Sequence, residues 1–157
     1  MRINIADLVK NDPDNVIDIL RNVPSEEVSK NLGDTLDYLK DETISKSPFE
    51  ISNGLFAIQI LFGNCKDAKS SGTELLAKYI SRELAERTLN YIIDTASSSD
   101  TELQWIAARV GISVVYYPFS QELTAIARKA FEKVSKESPD EYARGHAETI
   151  VQIIDKK

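Results

Sequence analysis

This chain has little of what most enzyme chemistry is made from. Among its 157 residues there is one cysteine, Cys65, and one histidine, His146. A lone cysteine forms no intrachain disulfide, so the fold must stand on its core alone, and a reducing, intracellular setting is expected. No His or Cys pair exists at ligand spacing, which excludes a structural zinc site. Long apolar runs are missing too. The most apolar stretch, Leu55 to Phe62, is eight residues and contains Gln59, whereas a membrane-spanning helix takes about 20. The amino terminus, MRINIADLVKND, carries charge within its first ten residues and no apolar block of signal-peptide length. These absences together predict a cytoplasmic protein with no membrane span, no cofactor and no metal.

Basic charge is also scarce. Nineteen Lys and Arg face 25 Asp and Glu, for a formal net charge of −6. Residues 1–47 alone carry ten acidic against six basic side chains. An acidic surface repels a polyanion at long range, which argues against nucleic acid as a partner. What the chain does have is length enough for a core: a domain of this size buries roughly 70% of its unfolded surface. Residues 1–157 are therefore read as a single all-helical domain.

Helical periodicity fills most of the sequence. Asp12 and Pro13 read as an N-cap and first helical position, opening a helix with Val16, Ile17 and Leu20 on one face. Pro24 to Glu27 opens another, reaching about Lys40, with Val28, Leu32, Leu36 and Leu39 in line. Ser47 and Pro48 lead into a helix over about 49–62, stopped by Gly63 and Asn64, which tolerate the left-handed conformation. From Thr73 to Ala96 the pattern is helical, as one helix or as two with Ser81 capping the second. Asp100 starts a helix in which Leu103, Ile106, Ala107, Val110 and Val114 form one face and Trp105, Ala108, Ile112 and Val115 another. Only Glu102, Arg109 and Ser113 remain for water. Pro118 turns the chain into a helix of Leu123, Ile126, Ala127, Ala130 and Val134. Ser138 and Pro139 begin the last, with Ala143, Ala147, Ile150, Val151 and Ile154 on one side.

Short connections make successive helices antiparallel, so hairpins stacked in chain order are expected. Stacking predicts two-faced terminal helices and middle helices covered on both sides. A faint internal repeat points the same way: Val16 to Leu20 (VIDIL) matches Ala57 to Leu61 (AIQIL), and Leu36 to Lys40 (LDYLK) matches Ala77 to Ser81 (AKYIS), each 41 positions on. A period near 40 is that of HEAT and armadillo units. The segment DTELQWIAARVGISVV, Asp100 to Val115, resembles the first helix of a HEAT unit, with Ala107, Ala108 and Gly111 as the small residues. That resemblance implies a short right-handed α-solenoid of antiparallel helical hairpins. An irregular multi-helix bundle is the alternative.

Candidate chemistry is thin. Cys65 with His146 is the only thiol–imidazole pair available, and each reads better as a structural residue. Lys69 to Glu74, KSSGTE, places Ser and Gly before a helix but lacks the ending of a phosphate-binding loop. Acidic pairs such as Glu26–Glu27 and Asp140–Glu141 sit at helix starts, where they complement the helix dipole. No catalytic residue is assigned. Two features are candidates for contact with another protein: the turn carrying Tyr116 and Tyr117, which reads first as a plug for the end of the core, and the basic cluster Arg128, Lys129, Lys133 and Lys136, which reads first as a solvated face compensated by Glu132 and Glu137. The expected function is a non-enzymatic, HEAT-like adaptor that binds another protein. The alternatives are a structural subunit or homodimeric bundle binding its own copies, and a nucleic-acid-binding or repair-type helical repeat.

Overall fold

The computed structural model describes residues 3–65 and 73–157, with the backbone alone at residues 73 and 74. Among the described residues there are nine α-helices and no strand: α1 Ile5–Asn11, α2 Val16–Arg21, α3 Val28–Lys40, α4 Pro48–Gly63, α5 Thr73–Tyr79, α6 Arg82–Ala96, α7 Thr101–Val114, α8 Gln121–Glu137 and α9 Glu141–Asp155. The all-α class expected from periodicity is the one observed. Among the described residues, no helix is long and apolar enough to cross a membrane. The chain falls into two compact units, Met1–Leu84 and Ala85–Lys157, the division lying within α6.

In the first unit α4 is the hub, with α1, α2 and α3 packed on it and α1 also on α3. The α4 sequence is apolar round most of its circumference, and Leu55, Ala57, Ile58, Leu61 and Phe62 are all buried. Ser52 and Gly54 are buried as well, and with successive residues about 100° apart the whole set covers more than half of the helix's circumference. The helix is opened by Ser47, whose side chain accepts from the Glu50 N–H at 3.2 Å, with Pro48 at the first position. Gly54 lets α3 come close: a Cβ there would stand 2.5 Å from Leu39 Cδ2.

Several helix ends depart from the sequence reading, each for a local physical reason. Helix α1 is not marked by periodicity; Asn4 caps it by accepting from the Asp7 N–H. Its carboxyl end then claims Asp12, whose backbone N–H donates to Leu8 O. The Asp12 side chain makes no capping bond to the amides that follow. Residues Pro13–Asn15 form a 3-10 turn, Asp12 Oδ1 accepts from Asn15 Nδ2 at 2.7 Å, and α2 begins only at Val16. Ile17, expected beside Val16 and Leu20 in the core, is 45% exposed. Asn64 does end α4, but in right-handed conformation, φ −69° and ψ −13°. Its side-chain amide is engaged elsewhere. Nδ2 donates to Leu20 O at 2.8 Å and Val23 O at 3.1 Å, tying the end of α4 to the end of α2 and the turn after it.

Residues 73–96 are two helices, and the Leu84 N–H donates to Ser81 Oγ at 3.2 Å, the cap read from the sequence. Most of the KSSGTE stretch lies outside the described residues.

In the second unit α9 is the hub, packed on both α7 and α8. Asp100, Ser120 and Asp140 cap α7, α8 and α9 through their side chains. Ile106, Ala107, Ala108, Val110, Gly111 and Val114 are buried, so α7 is covered on more than one side, as its composition predicts. Gly111 is what allows the close approach of α9, for a Cβ there would stand 2.9 Å from Ile150 Cδ1 and 3.3 Å from Phe131 Cζ. The inner face of α8 is Ala127, Phe131 and Val134, while Ile126, expected inside, is 51% exposed. The ring of Phe131 is fully buried and reaches toward Gly111.

Candidate interaction surface

The basic cluster on α8 is already engaged in part. Arg128 Nε and Nη2 donate to the two carboxylate oxygens of Asp155 at 2.7 and 3.1 Å, and Nη1 donates to Glu132 Oε2 at 3.1 Å. Lys136 Nζ donates to Glu132 Oε1 at 3.0 Å. The bidentate guanidinium holds Asp155 below the usual carboxylate range, and Lys136 with Arg128 does the same for Glu132. Glu132 and Asp155 thus compensate two of the four cations within the unit. Lys129 and Lys133 are exposed on α8.

The aromatic turn divides in the same way. Tyr117 is 4% exposed and packs against Phe119 with ring centroids 5.0 Å apart, so its side chain closes the end of the core and is not on the surface. Lys157 Nζ donates to Tyr117 O at 2.9 Å and lies 5.7 Å from the Phe119 centroid, drawing the end of the chain onto this turn. Tyr116 remains 38% exposed. Of the six residues named from sequence, the structure therefore places Tyr116, Lys129 and Lys133 on the surface, Arg128 and Lys136 in ion pairs, and Tyr117 in the core.

Sequence reasoning passed over a different place. Near the amino-terminal ends of α7 and α9 there is a cleft of about 350 Å³ walled by Thr101, Glu102, Trp105, Asp140 and Tyr142. Tyr142 is 65% exposed, the most exposed large apolar side chain described. Trp105 is half-buried, with Arg109 6.0 Å from its ring centroid and His146 6.5 Å away in a tilted arrangement. Burial, and then the charge of Arg109, hold His146 below its ordinary range against the pull of Asp140. The signal available in the sequence is the i, i+4 pairing of Tyr142 with His146 next to two helix starts, which carries no distinctive spacing of its own.

Cys65 is buried, its Sγ donates to Leu61 O at 3.7 Å, and burial pushes the thiol up to about 11, far from a nucleophile's range. Among the described residues no group of His, Cys, Asp and Glu is arranged to hold a metal ion. No protein-family model, curated protein or solved structure matches this chain.

Proposed function

We propose that this chain is a non-enzymatic protein-binding module of the cytoplasm, a short HEAT-like stack of antiparallel helical hairpins acting as an adaptor. One observation carries the reading. The two sequence matches at an offset of 41 fall on helices in equivalent order: Val16 to Leu20 lies in α2 and Ala57 to Leu61 in α4, while Leu36 to Lys40 ends α3 and Ala77 to Ser81 runs through the end of α5. On the stacked-hairpin reading, each match pairs one helix of a hairpin with its counterpart in the next. The packing of α2 on α4 and of α7 on α9, each two helices apart in the chain, is what stacked hairpins produce. Helical repeats serve by presenting a surface.

The test is solution mass by light scattering over a concentration series, followed by cross-linking capture with the full chain. A constant mass near 17.6 kDa together with a captured partner is the expected result. A stable multiple of that mass would transfer the reading to the structural subunit binding its own copies. Salt-dependent affinity for DNA would transfer it to a nucleic-acid module.

A further inference from the structure

We propose that the cleft walled by Trp105 and Tyr142 binds a basic side chain, a lysine or arginine presented by a partner protein. The inference rests on the protein-binding reading and gives its partner a chemistry.

Three features of the cleft select a cation. First, its apolar walls are aromatic, and ring faces attract positive charge through their quadrupole. The largely exposed ring of Tyr142 and the half-buried ring of Trp105 meet in one concavity of about 350 Å³. That size lies at the low end for ligand pockets and suits one long side chain. Second, its polar walls include two carboxylates, Glu102 and Asp140, and no basic residue. Third, the helix ends do not favour an anion. Asp100 Oδ1 accepts from the Glu102 and Leu103 N–H groups at 3.0 and 3.1 Å, and Asp140 Oδ1 from those of Tyr142 and Ala143 at 2.7 and 3.1 Å. The amide donors that would hold an anion are thus occupied, and each end's roughly half positive charge is answered by a full negative one.

The chain already makes this kind of contact with itself. The Arg109 guanidinium lies 6.0 Å from the Trp105 ring centroid, within the range of a cation–π interaction. A partner's lysine or arginine would extend the same recognition to Tyr142 and the two carboxylates.

Trp105 is the only tryptophan in the chain, so its emission reports on the cleft directly. The experiment titrates the full protein with blocked tetralysine and tetraarginine, and with tetra(acetyl-lysine) and tetraglutamate as neutral and acidic controls. A saturable change with the two basic peptides is expected, about tenfold weaker for the acetylated one and fading as salt rises. Tyr142→Ala and Glu102→Gln should each weaken it severalfold. Both side chains are exposed, and circular dichroism checks that α7 and α9 persist. Should Tyr142→Ala disturb α9, Glu102→Gln on α7 carries the same test. Equal binding of the acetylated peptide, preference for tetraglutamate, or no response at millimolar peptide would overturn the proposal. A captured partner held equally well by both variants would also overturn it, while leaving the protein-binding reading in place.

Discussion

The two units of this protein solve the problem of helix ends in different ways. In the second unit α7, α8 and α9 run 14, 17 and 15 residues, and each is opened by the side chain just before it, Asp100, Ser120 or Asp140. The first unit breaks its chain more often, with 3-10 turns at Pro13–Asn15 and Ser25–Glu27 and with α1 and α2 of only seven and six residues. Asn4 and Ser47 cap α1 and α4 locally, while its other helix ends are tied from a distance. Ser25 Oγ donates to Asn64 O at 2.9 Å, Asn64 reaches back to Leu20 and Val23, and Ser29 Oγ donates to Tyr79 O. Local capping specifies a helix before any tertiary contact forms, whereas distant ties exist only once the unit has folded.

The largest test of that contrast is a core truncation in each unit. Phe62 and Phe131 are both fully buried, and Phe→Ala at either is expected to cost about 3–5 kcal/mol. Two native probes report separately: Trp105 fluorescence in the second unit and thiol labelling of buried Cys65 in the first. Phe131→Ala should act chiefly on the Trp105 transition in denaturant, and Phe62→Ala on Cys65 protection. Equal shifts of both probes by both variants would show the units unfolding as one.

A smaller effect separates the two packing glycines. At Gly54 an added Cβ meets the branch point of Leu39, with Cδ2, Cγ and Cδ1 at 2.5, 3.0 and 3.2 Å. The whole Leu39 side chain must move, so Gly54→Val is expected to destabilise the first unit by about 3 kcal/mol. At Gly111 the nearest atom is the terminal methyl of Ile150 at 2.9 Å, which can swing aside. Gly→Ala in a helix gains about 1 kcal/mol of propensity, so Gly111→Ala should fall within about 1 kcal/mol of the parent. Urea titration of each variant measures both.

The caps test the contrast most directly. Asp100→Ala and Asp140→Ala each remove a local cap, at about 1 kcal/mol, and Ser at either position should restore most of it. Asn64→Ala leaves the Leu20 and Val23 carbonyls without their side-chain donor and should cost about 1–2 kcal/mol. No single neighbouring substitution should restore it, because the donor must come from the end of α4 to the end of α2. Thermal melts of these variants rank them.

The same distinction explains what is legible in the sequence. Ser47, Ser81 and Asp100 can be read as helix starts because a capping side chain and the amides it accepts from lie within three residues. Asp12 looks identical in sequence, but its carboxylate accepts from the Asn15 side chain and caps no amide, and α1 is too short for periodicity to mark it. Asn64 looks like a left-handed stop because nothing local shows that its amide is needed 44 positions away. Ile126 and Phe131 are both apolar on α8, and which turns inward is settled by packing against Gly111. Among the candidate surface residues, type alone points to Tyr117 and Arg128. Glu132 and Phe119 lie close by in sequence, whereas Asp155, 27 positions on from Arg128, and the core that buries Tyr117 come from distant parts of the unit. The Trp105–Tyr142 cleft is hidden for the same reason, since its walls meet only when α9 packs on α7.

The smallest expected effect is one of pH, confined to the second unit. His146 is the chain's only histidine, so a stability slope between pH 5.5 and 7 is dominated by one side group, with carboxylates titrating below it and Cys65 and Tyr38, pushed up to about 11 and about 12, above. Trp105, Arg109 and Asp140 face the imidazole. Burial first and Arg109 second hold its folded pKa below the unfolded value of about 6.5, with Asp140 opposing. The unfolded chain therefore binds the proton more readily. Stability due to neutral His146 is complete above about pH 6.5 and is lost as pH falls through the window down to the folded value, with a slope of at most about 1.4 kcal/mol per pH unit. Denaturant melts followed by Trp105 emission should show that decline, and His146→Gln should flatten it. Arg109→Gln should weaken it, since one of the two causes of the shift is gone. If the decline survives His146→Gln unchanged, the imidazole is not the group that senses the cleft.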